Sequence, residues 1–331
     1  MGPGFRPVAI GLLVLLASGA AFAQAPAEPP AQNFPARAVR LIVPFPPGGP
    51  TDLMARVYGQ KLSEEWGQPV IVENRPGGNS ALGAQQVARS APDGYTLLVA
   101  MDTTLVMNPI TTDKLPYDAL KDFAPISLTA QNTSLLIVRA DDAPRSVHEL
   151  IAKARANPGK MNYGAGTITT RLAGYLFSKL AGMDTVFIPY KGSAEVVQGL
   201  LTGSIDFSVD GVSASLPLIR GGKLRALAKL NSRPLAALPD LQPLSVAAGL
   251  PALGDISTWA GLVAPAGTPP PVIDRIQQSV ARVAADPEVR ARLGPVGIAA
   301  VSMRPDEFRR YAKDELERWS AVFRDSGIKL D

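Results

Sequence analysis

No cysteine occurs anywhere in the 331 residues, and there is a single histidine. The first absence excludes a disulfide framework and thiolate metal sites. Together with the second it leaves the usual nucleophile–base pairs and histidine-ligated metals poorly supplied. Long apolar runs are also missing: the longest, Val8 to Ala17, holds about ten residues against the roughly 20 a membrane-spanning helix needs. Charge of one sign is not concentrated either, since 33 Lys and Arg are interspersed with 29 Asp and Glu. Only ten Phe and seven Tyr are spread over the chain, so a nucleic-acid footprint is not supported.

What is present at the amino end reads as a secretory signal. Arg6 precedes the apolar run, and Ala21-Phe22-Ala23 has the small-x-small form of a cleavage site, so residues 1–23 are expected to be a signal peptide and the mature chain to begin at Gln24. Loss of Arg6 with that segment lowers the formal charge from +4 to +3. With no cysteine after the cleavage site, lipid attachment is excluded and an exported, freely moving protein is expected in the periplasm. Residues 24–33 have the composition of a flexible leader. The remainder, about 300 residues, is long enough for two lobes with separate cores.

Short Val-, Ile- and Leu-rich runs alternate with helical patterns. Strands are expected at 39–43, 70–72, 95–100, 134–139, 161–163, 185–188, 206–209, 224–228 and 259–264. Helices are expected near 51–65, 80–90, 146–157, 170–181, 194–202, 213–220, 271–285 and 305–326. Such alternation predicts an α/β protein with mainly parallel sheets flanked by helices. The apolar runs Leu135 to Val138 and Trp259 to Ala264 bracket a complete βαβ set. A lobe inserted between two crossing strands produces that arrangement: residues 34–133 and 254–331 form lobe 1, and 134–253 form lobe 2.

Four loops follow strands in corresponding positions. Pro44-Phe45-Pro46-Pro47-Gly48-Gly49-Pro50-Thr51-Asp52 follows the first strand, and Asn74 to Ser80 the second. Asp102-Thr103-Thr104 follows the third, and Gly164-Ala165-Gly166-Thr167-Ile168-Thr169-Thr170-Arg171 follows a strand of the inserted lobe. In open α/β sheets ligands bind beyond the carboxyl ends of the strands, where helix starts offer unpaired N–H groups and partial positive charge to anions. Gly48 and Gly49 permit close backbone approach, and Pro50 suits a first helical position. Taken alone, that stretch is a Pro-Gly-Gly turn with Asp52 as an ordinary helix-start residue; four such loops facing one cleft point to binding. No complete nucleotide or catalytic motif is present: Gly164-x-Gly166 lacks a third glycine, and neither Ser80 nor Ser213 lies in a Gly-x-Ser-x-Gly elbow. His148 lies in the first turn of a helical pattern, where a solvated residue is ordinary. Phe45, Tyr163 and Trp259 either line the cleft or belong to the core.

Six motifs in order carry a family likeness. These are Pro44 to Asp52, Glu73-Asn74-Arg75-Pro76-Gly77, Pro92-Asp93-Gly94-Tyr95-Thr96-Leu97-Leu98, Leu115-Pro116-Tyr117-Asp118, Pro189-Tyr190-Lys191-Gly192 and Ala264 to Pro269. From about residue 34 onward the chain resembles the Bug, or TctC-like, family of periplasmic solute-binding receptors of tripartite tricarboxylate transporters. The resemblance implies a two-lobed Venus-flytrap fold joined by two crossover strands. It implies a small organic acid in the interlobe cleft: a di- or tricarboxylate, an acidic amino acid or an aromatic acid. It further implies transient docking to membrane transporter subunits, a monomer, no cofactor, no metal and no catalysis. Carried over residue by residue, it marks Phe45, Pro47, Gly48, Gly49, Thr51 and Asp52 in lobe 1 and Gly166, Thr167, Thr169, Thr170 and Asp210 in lobe 2 as ligand-binding. The loop positions after the second and third strands add Ser80, Thr103 and Thr104 as candidates, and Arg171 joins them from the second-lobe loop. The second-lobe loop departs from the family pattern: it is shorter, and Arg171 stands where many relatives have His. Arg171 either holds a second carboxylate bidentately or ends its helix pointing to solvent. A ligand-presenting sensor that docks onto a membrane signalling receptor, or a secreted hydrolase with a carboxylate pair in the cleft, are the alternative readings.

Overall fold

A computed structural model gives the architecture, describing residues 34–141 and 144–326 together with 1, 2 and 4. The expected signal peptide and leader lie outside the described residues, apart from those three. Among the described residues, no helix is long and apolar enough to cross a membrane.

Six strands form the first sheet: β1 (Val39–Val43), β2 (Val70–Asn74), β3 (Thr96–Met101), β4 (Phe123–Asn132), β10 (Thr258–Pro265) and β11 (Ile298–Ala300), in the order β11-β4-β10-β3-β1-β2. Five form the second: β5 (Ser134–Arg139), β6 (Met161–Ala165), β7 (Thr185–Pro189), β8 (Phe207–Gly211) and β9 (Leu224–Lys229), in the order β7-β6-β8-β5-β9. Both sheets are mixed rather than mainly parallel. β1 pairs in parallel with β2 and β3, whereas β10 runs antiparallel to β3 and β4. β6 is parallel to β7 and β8, whereas β5 is antiparallel to β8 and β9. β5 and β10, next to the crossings where the chain leaves one lobe and returns, run against their parallel neighbours, as the edge strand β11 does against β4.

Side-chain alternation along the strands builds the layers. In β1, Val39, Leu41 and Val43 face a core shared with α1 (Pro50–Trp66), α9 (Pro270–Ala285) and α10 (Pro287–Leu293), while Ile42 faces the opposite side. That opposite side packs on α2 (Ala81–Ala88) and on the long α11 (Pro305–Ser326). In β5, Leu135 and Ile137 meet α6 (Ser193–Thr202) and α7 (Val212–Arg220), and Leu136 and Val138 meet α4 (Val147–Ala156) and α5 (Ile168–Leu180). One apolar cluster, including Trp259 and Phe308 from lobe 1 and Leu172 and Phe177 from lobe 2, is continuous across the junction. The remaining helices are the short α3 (Asn108–Thr111) and α8 (Leu244–Ala247).

The crossings are short and cross-linked. Only Thr133 separates β4 from β5. The return segment is tied to the outgoing one: Leu230 N donates to Ser134 O at 2.8 Å, Ile256 N to Leu230 O at 2.9 Å, and Asn231 Nδ2 to Ser257 Oγ at 3.0 Å.

Candidate anion site between the lobes

Four helices begin at one cavity. Residues of the α1 start (Gly49, Pro50, Thr51, Asp52), the α5 start (Gly166, Thr167, Thr170), the α6 start (Gly192, Ser193, Ala194, Glu195) and the α7 start (Gly211) line it. Phe45, Pro46, Pro47, Met101, Ser134 and Thr258 complete the walls of a cleft that holds about 650 Å³ of unfilled space, open solvent included. The lobes touch around it: a Cβ built on Gly192 would stand 3.6 Å from the Pro46 ring, and one on Gly211 only 3.0 Å from Pro50 Cγ.

Local sequence explains each wall. Gly48 has φ +89°, a left-handed conformation that glycine adopts without strain, and Pro50 opens α1 with its missing N–H where none is needed. Asp52 is spent on holding this turn. Its carboxylate accepts from Gly48 N at 3.1 Å, Arg56 Nε at 3.0 Å and Asn74 Nδ2 at 2.9 Å. Burial alone would raise its pKa, but the hydrogen bonds from Arg56, Asn74 and Gly48 together with the Arg56 charge outweigh burial and lower it. The α5 start is a capping box, in which Thr170 N donates to Thr167 Oγ1 at 3.2 Å and Thr167 N to Thr170 Oγ1 at 3.3 Å. Gly166 is required by close approach, because a Cβ there would meet Gly192 Cα at 2.8 Å.

Asp210, at the end of β8, is 4% exposed. Its Oδ1 accepts from Ser193 Oγ at 2.8 Å, while Oδ2 has no hydrogen-bond partner. Burial pushes its carboxyl up to about 6, against the opposing pull of Ser193 and the Gly211 amide. Among the described residues, no Lys, Arg or His lines the cavity. Positive potential comes from the helix starts alone, whose first-turn N–H groups have no intrahelical carbonyl to bond.

Ten of the fifteen residues marked from sequence are brought to this place: Phe45, Pro47, Gly49, Thr51, Asp52, Gly166, Thr167, Thr170 and Asp210 line it, and Gly48 lies in the same turn. The other five do not line it. Ser80 and Thr104 are buried and bonded to each other, Thr104 Oγ1 donating to Ser80 Oγ at 2.9 Å. Thr103 is fully buried in a π-helical turn over Thr103–Met107, where a polar loop was expected. Thr169 is fully buried, facing away towards Asp102. The Arg171 guanidinium sits over the Phe187 ring at 4.4 Å, a cation–π contact, and neither lines the cavity nor ends in open solvent. Of the aromatic candidates only Phe45 lines the cavity. Tyr163 packs between Phe187 and Phe207, and Trp259 is fully buried against Phe308 and Tyr311. Sequence reasoning missed Ser193, Ala194 and Glu195, although Lys191-Gly192 was noticed as a motif; a glycine before an amphipathic run was the available signal. Met101, Ser134 and Thr258 sit at strand ends and carried none.

A family model described as the tripartite tricarboxylate transporter family receptor, TctC, matches residues 54–328. The chain belongs to that family. Among relatives of this TctC-family receptor is protein BugT of Bordetella pertussis, 35% identical over 303 residues covering 91% of this chain and 92% of BugT. Its fold is similar to that of an R. palustris protein determined with adipate, at 31% identity and TM-score 0.86, covering 89% of this chain and 99% of that one. It is also similar to MatC from Rhodopseudomonas palustris with bound malate, at 30% identity and TM-score 0.79, covering 87% and 99%. TctC-family receptors are periplasmic binding proteins, and the two-lobed α/β fold expected from sequence is the fold of these neighbours.

Proposed function

We propose that the protein is a periplasmic receptor that captures a small organic carboxylate between lobe 1 (34–133 and 254–331) and lobe 2 (134–253) and delivers it to a tripartite tricarboxylate-type membrane transporter. The observation carrying this reading is the convergence of four helix starts on one cavity that contains no cationic side chain. Such a site favours an anion through aligned backbone N–H groups. Similar proteins were determined with adipate and with malate, both carboxylates.

The α1 start offers the N–H groups of Thr51 and Asp52 beside Gly49, where a carboxylate can approach the backbone. A ligand seated there also touches the α5 and α6 starts of lobe 2. Contacts to both lobes are what allow a ligand to favour the closed arrangement, because only differential contact shifts a two-state equilibrium. The crossings near 132–134 and 254–258 are the hinge. The closed, filled form is the one the membrane subunits recognise.

A thermal-shift and calorimetry screen of mono-, di- and tricarboxylates, acidic amino acids and aromatic acids tests the reading. An acid present at about 100 times its Kd stabilises by roughly 2.7 kcal/mol. Failure of every acid to shift the melt or release heat refutes it.

A further inference from the structure

We propose that the far end of the ligand is held at the hinge itself, by the hydroxyls of Ser134 on the outgoing crossing and Thr258 on the returning one, and that this pair takes the second carboxylate of a diacid. This rests on the reading of the cavity as a carboxylate site and names where its ligand ends.

Six hydroxyl side chains line the cavity. Four are already committed within the protein. Thr51 Oγ1 donates to Met101 Sδ at 2.7 Å, and Ser193 Oγ donates to Asp210 Oδ1 at 2.8 Å. Thr167 and Thr170 bond each other in the capping box, and Thr170 Oγ1 also lies 3.1 Å from Thr167 O. The hydroxyls of Ser134 and Thr258 have no hydrogen-bond partner among the described residues. The two residues are only 2% and 6% exposed, so what meets them comes from the cavity rather than from open solvent. A polar group enclosed to that degree is ordinarily bonded, and an exception calls for a ligand or an ordered water.

Strand pairing adds to both. Thr258 stands opposite Asn132 in the β4–β10 ladder, and residues opposite one another project to the same face. The Asn132 amide, 2% exposed, has neither its oxygen nor its nitrogen bonded, which places a third neutral donor beside Thr258. Ser134 projects to the face of the lobe 2 sheet that α5 covers, and the first-turn N–H groups of α5 lack intrahelical acceptors. Asp210 stands opposite Leu135 and so projects to the other face, where Ser193 holds it.

All of these groups can donate, and none carries a charge. Hydrogen bonds to an ionised acceptor are the stronger kind, so a carboxylate gains more here than a neutral carbonyl does. A diacid with one carboxylate at the α1 start therefore meets donors with both ends and needs no cation. Thr258 belongs to lobe 1 and Ser134 to lobe 2, so the second carboxylate also ties the two crossings in one relative rotation. A monoacid leaves that tie unmade, and with it part of the contact that favours closure.

Calorimetry at pH 7.5 on the full mature chain, with dicarboxylic acids of four to six carbons and the monocarboxylic acid of each length, tests the assignment. The best dicarboxylic acid should bind at least about tenfold tighter than its monocarboxylic match. Ser134→Ala and Thr258→Val should each weaken that diacid at least about fivefold and leave the monoacid within about twofold. Thr258→Ser keeps the hydroxyl and should stay within about twofold of wild type for both acids. Melts of the ligand-free variants should match wild type, because neither hydroxyl bonds the protein; a lowered melt would show that it does, and overturns the proposal. So does equal binding of mono- and dicarboxylic acids by the wild type, wild-type affinity for the diacid in either hydroxyl-deleted variant, or an equal loss for both acids. Binding of no acid at all instead removes the carboxylate site on which the assignment rests.

Discussion

Asp102→Asn is expected to stabilise the protein at neutral and alkaline pH. Asp102 directly follows β3, is fully enclosed, and neither carboxylate oxygen has a partner at ordinary hydrogen-bond geometry. Burial pushes its pKa from 3.8 up to about 7 against lesser pulls from Thr169 and the backbone at Thr103, and the nearby Glu315 of α11 adds a smaller push in the same direction as burial. Tyr311 of α11 also faces this carboxylate. The fold therefore prefers the neutral acid, while the unfolded chain ionises at the ordinary value. Stability from this group is fully present below pH 3.8 and is lost as pH rises through about 7. At 1.36 kcal/mol per pH unit the whole displacement is on the order of 4 kcal/mol. For about 300 residues, with roughly 2.1 cal/mol/K of unfolding entropy each, that corresponds to about 6 °C in Tm.

The assay is a pair of melts, wild type and variant, from pH 4 to pH 9. The neutral amide copies the shape of the protonated acid and leaves similar atoms without partners, so the two proteins should melt together near pH 4. Their separation should then widen to the full value above pH 7. Because the comparison is between two chains differing at one position, titration of groups that do not interact with residue 102 cancels. A constant separation, or none at any pH, refutes the reasoning that desolvation dominates at this residue.

Three further outcomes follow from packing. Phe308 is fully buried, presses on Gly261 and meets Trp259 edge-on at 5.7 Å, so Phe308→Ala should cost about 3–5 kcal/mol in denaturant unfolding. Gly166→Ala would set a methyl 2.8 Å from the Gly192 backbone, and should cost about 1–3 kcal/mol and weaken acid binding at least tenfold in calorimetry. Gly49 has an extended backbone, and a Cβ there meets nothing within 4 Å, so Gly49→Val should keep the wild-type melt yet abolish carboxylate binding; unchanged affinity would remove the α1 turn from the site.

The nine expected strands were legible from apolar runs, dense in β1, β3, β5 and β10 and sparser in β6, β8 and β9. β4 was not, although it pairs on both sides. Its sequence, Phe123-Ala-Pro-Ile-Ser-Leu-Thr-Ala-Gln-Asn, interrupts the apolar pattern with Ser127, Thr129 and Gln131 and contains Pro125. The proline is tolerated because β11 reaches only residues 130–132, leaving that stretch paired on the β10 side alone, and the ladder slips a residue between Leu262 and Val263. β11 has three residues, too few to leave a periodicity. α10 was hidden behind Asp286-Pro287, which reads as a stop for α9 but also starts a new helix, with Asp286 accepting from Glu288 N at 2.7 Å. Glycine turns and helix starts are local, so most of the site's lobe 1 wall could be read from sequence. Arg171, in α5, could not, because whether it reaches the cavity depends on Phe187, sixteen residues later on β7.

The placement of charge explains why a site for anions can be lined by acids. Each lining carboxylate has a different account with its surroundings: Asp52 is neutralised by Arg56, Glu195 accepts from the backbone before its own helix, and Asp210 alone keeps an unmet acceptor. The attraction for a ligand carboxylate then comes from backbone groups that cannot move away, and it is concentrated at the α1 end. The α5 and α6 starts of lobe 2 line the other end of the same cavity. Because these two ends sit on different lobes, touching at Pro46 with Gly192 and at Pro50 with Gly211, a ligand that satisfies only one of them gains little from closure.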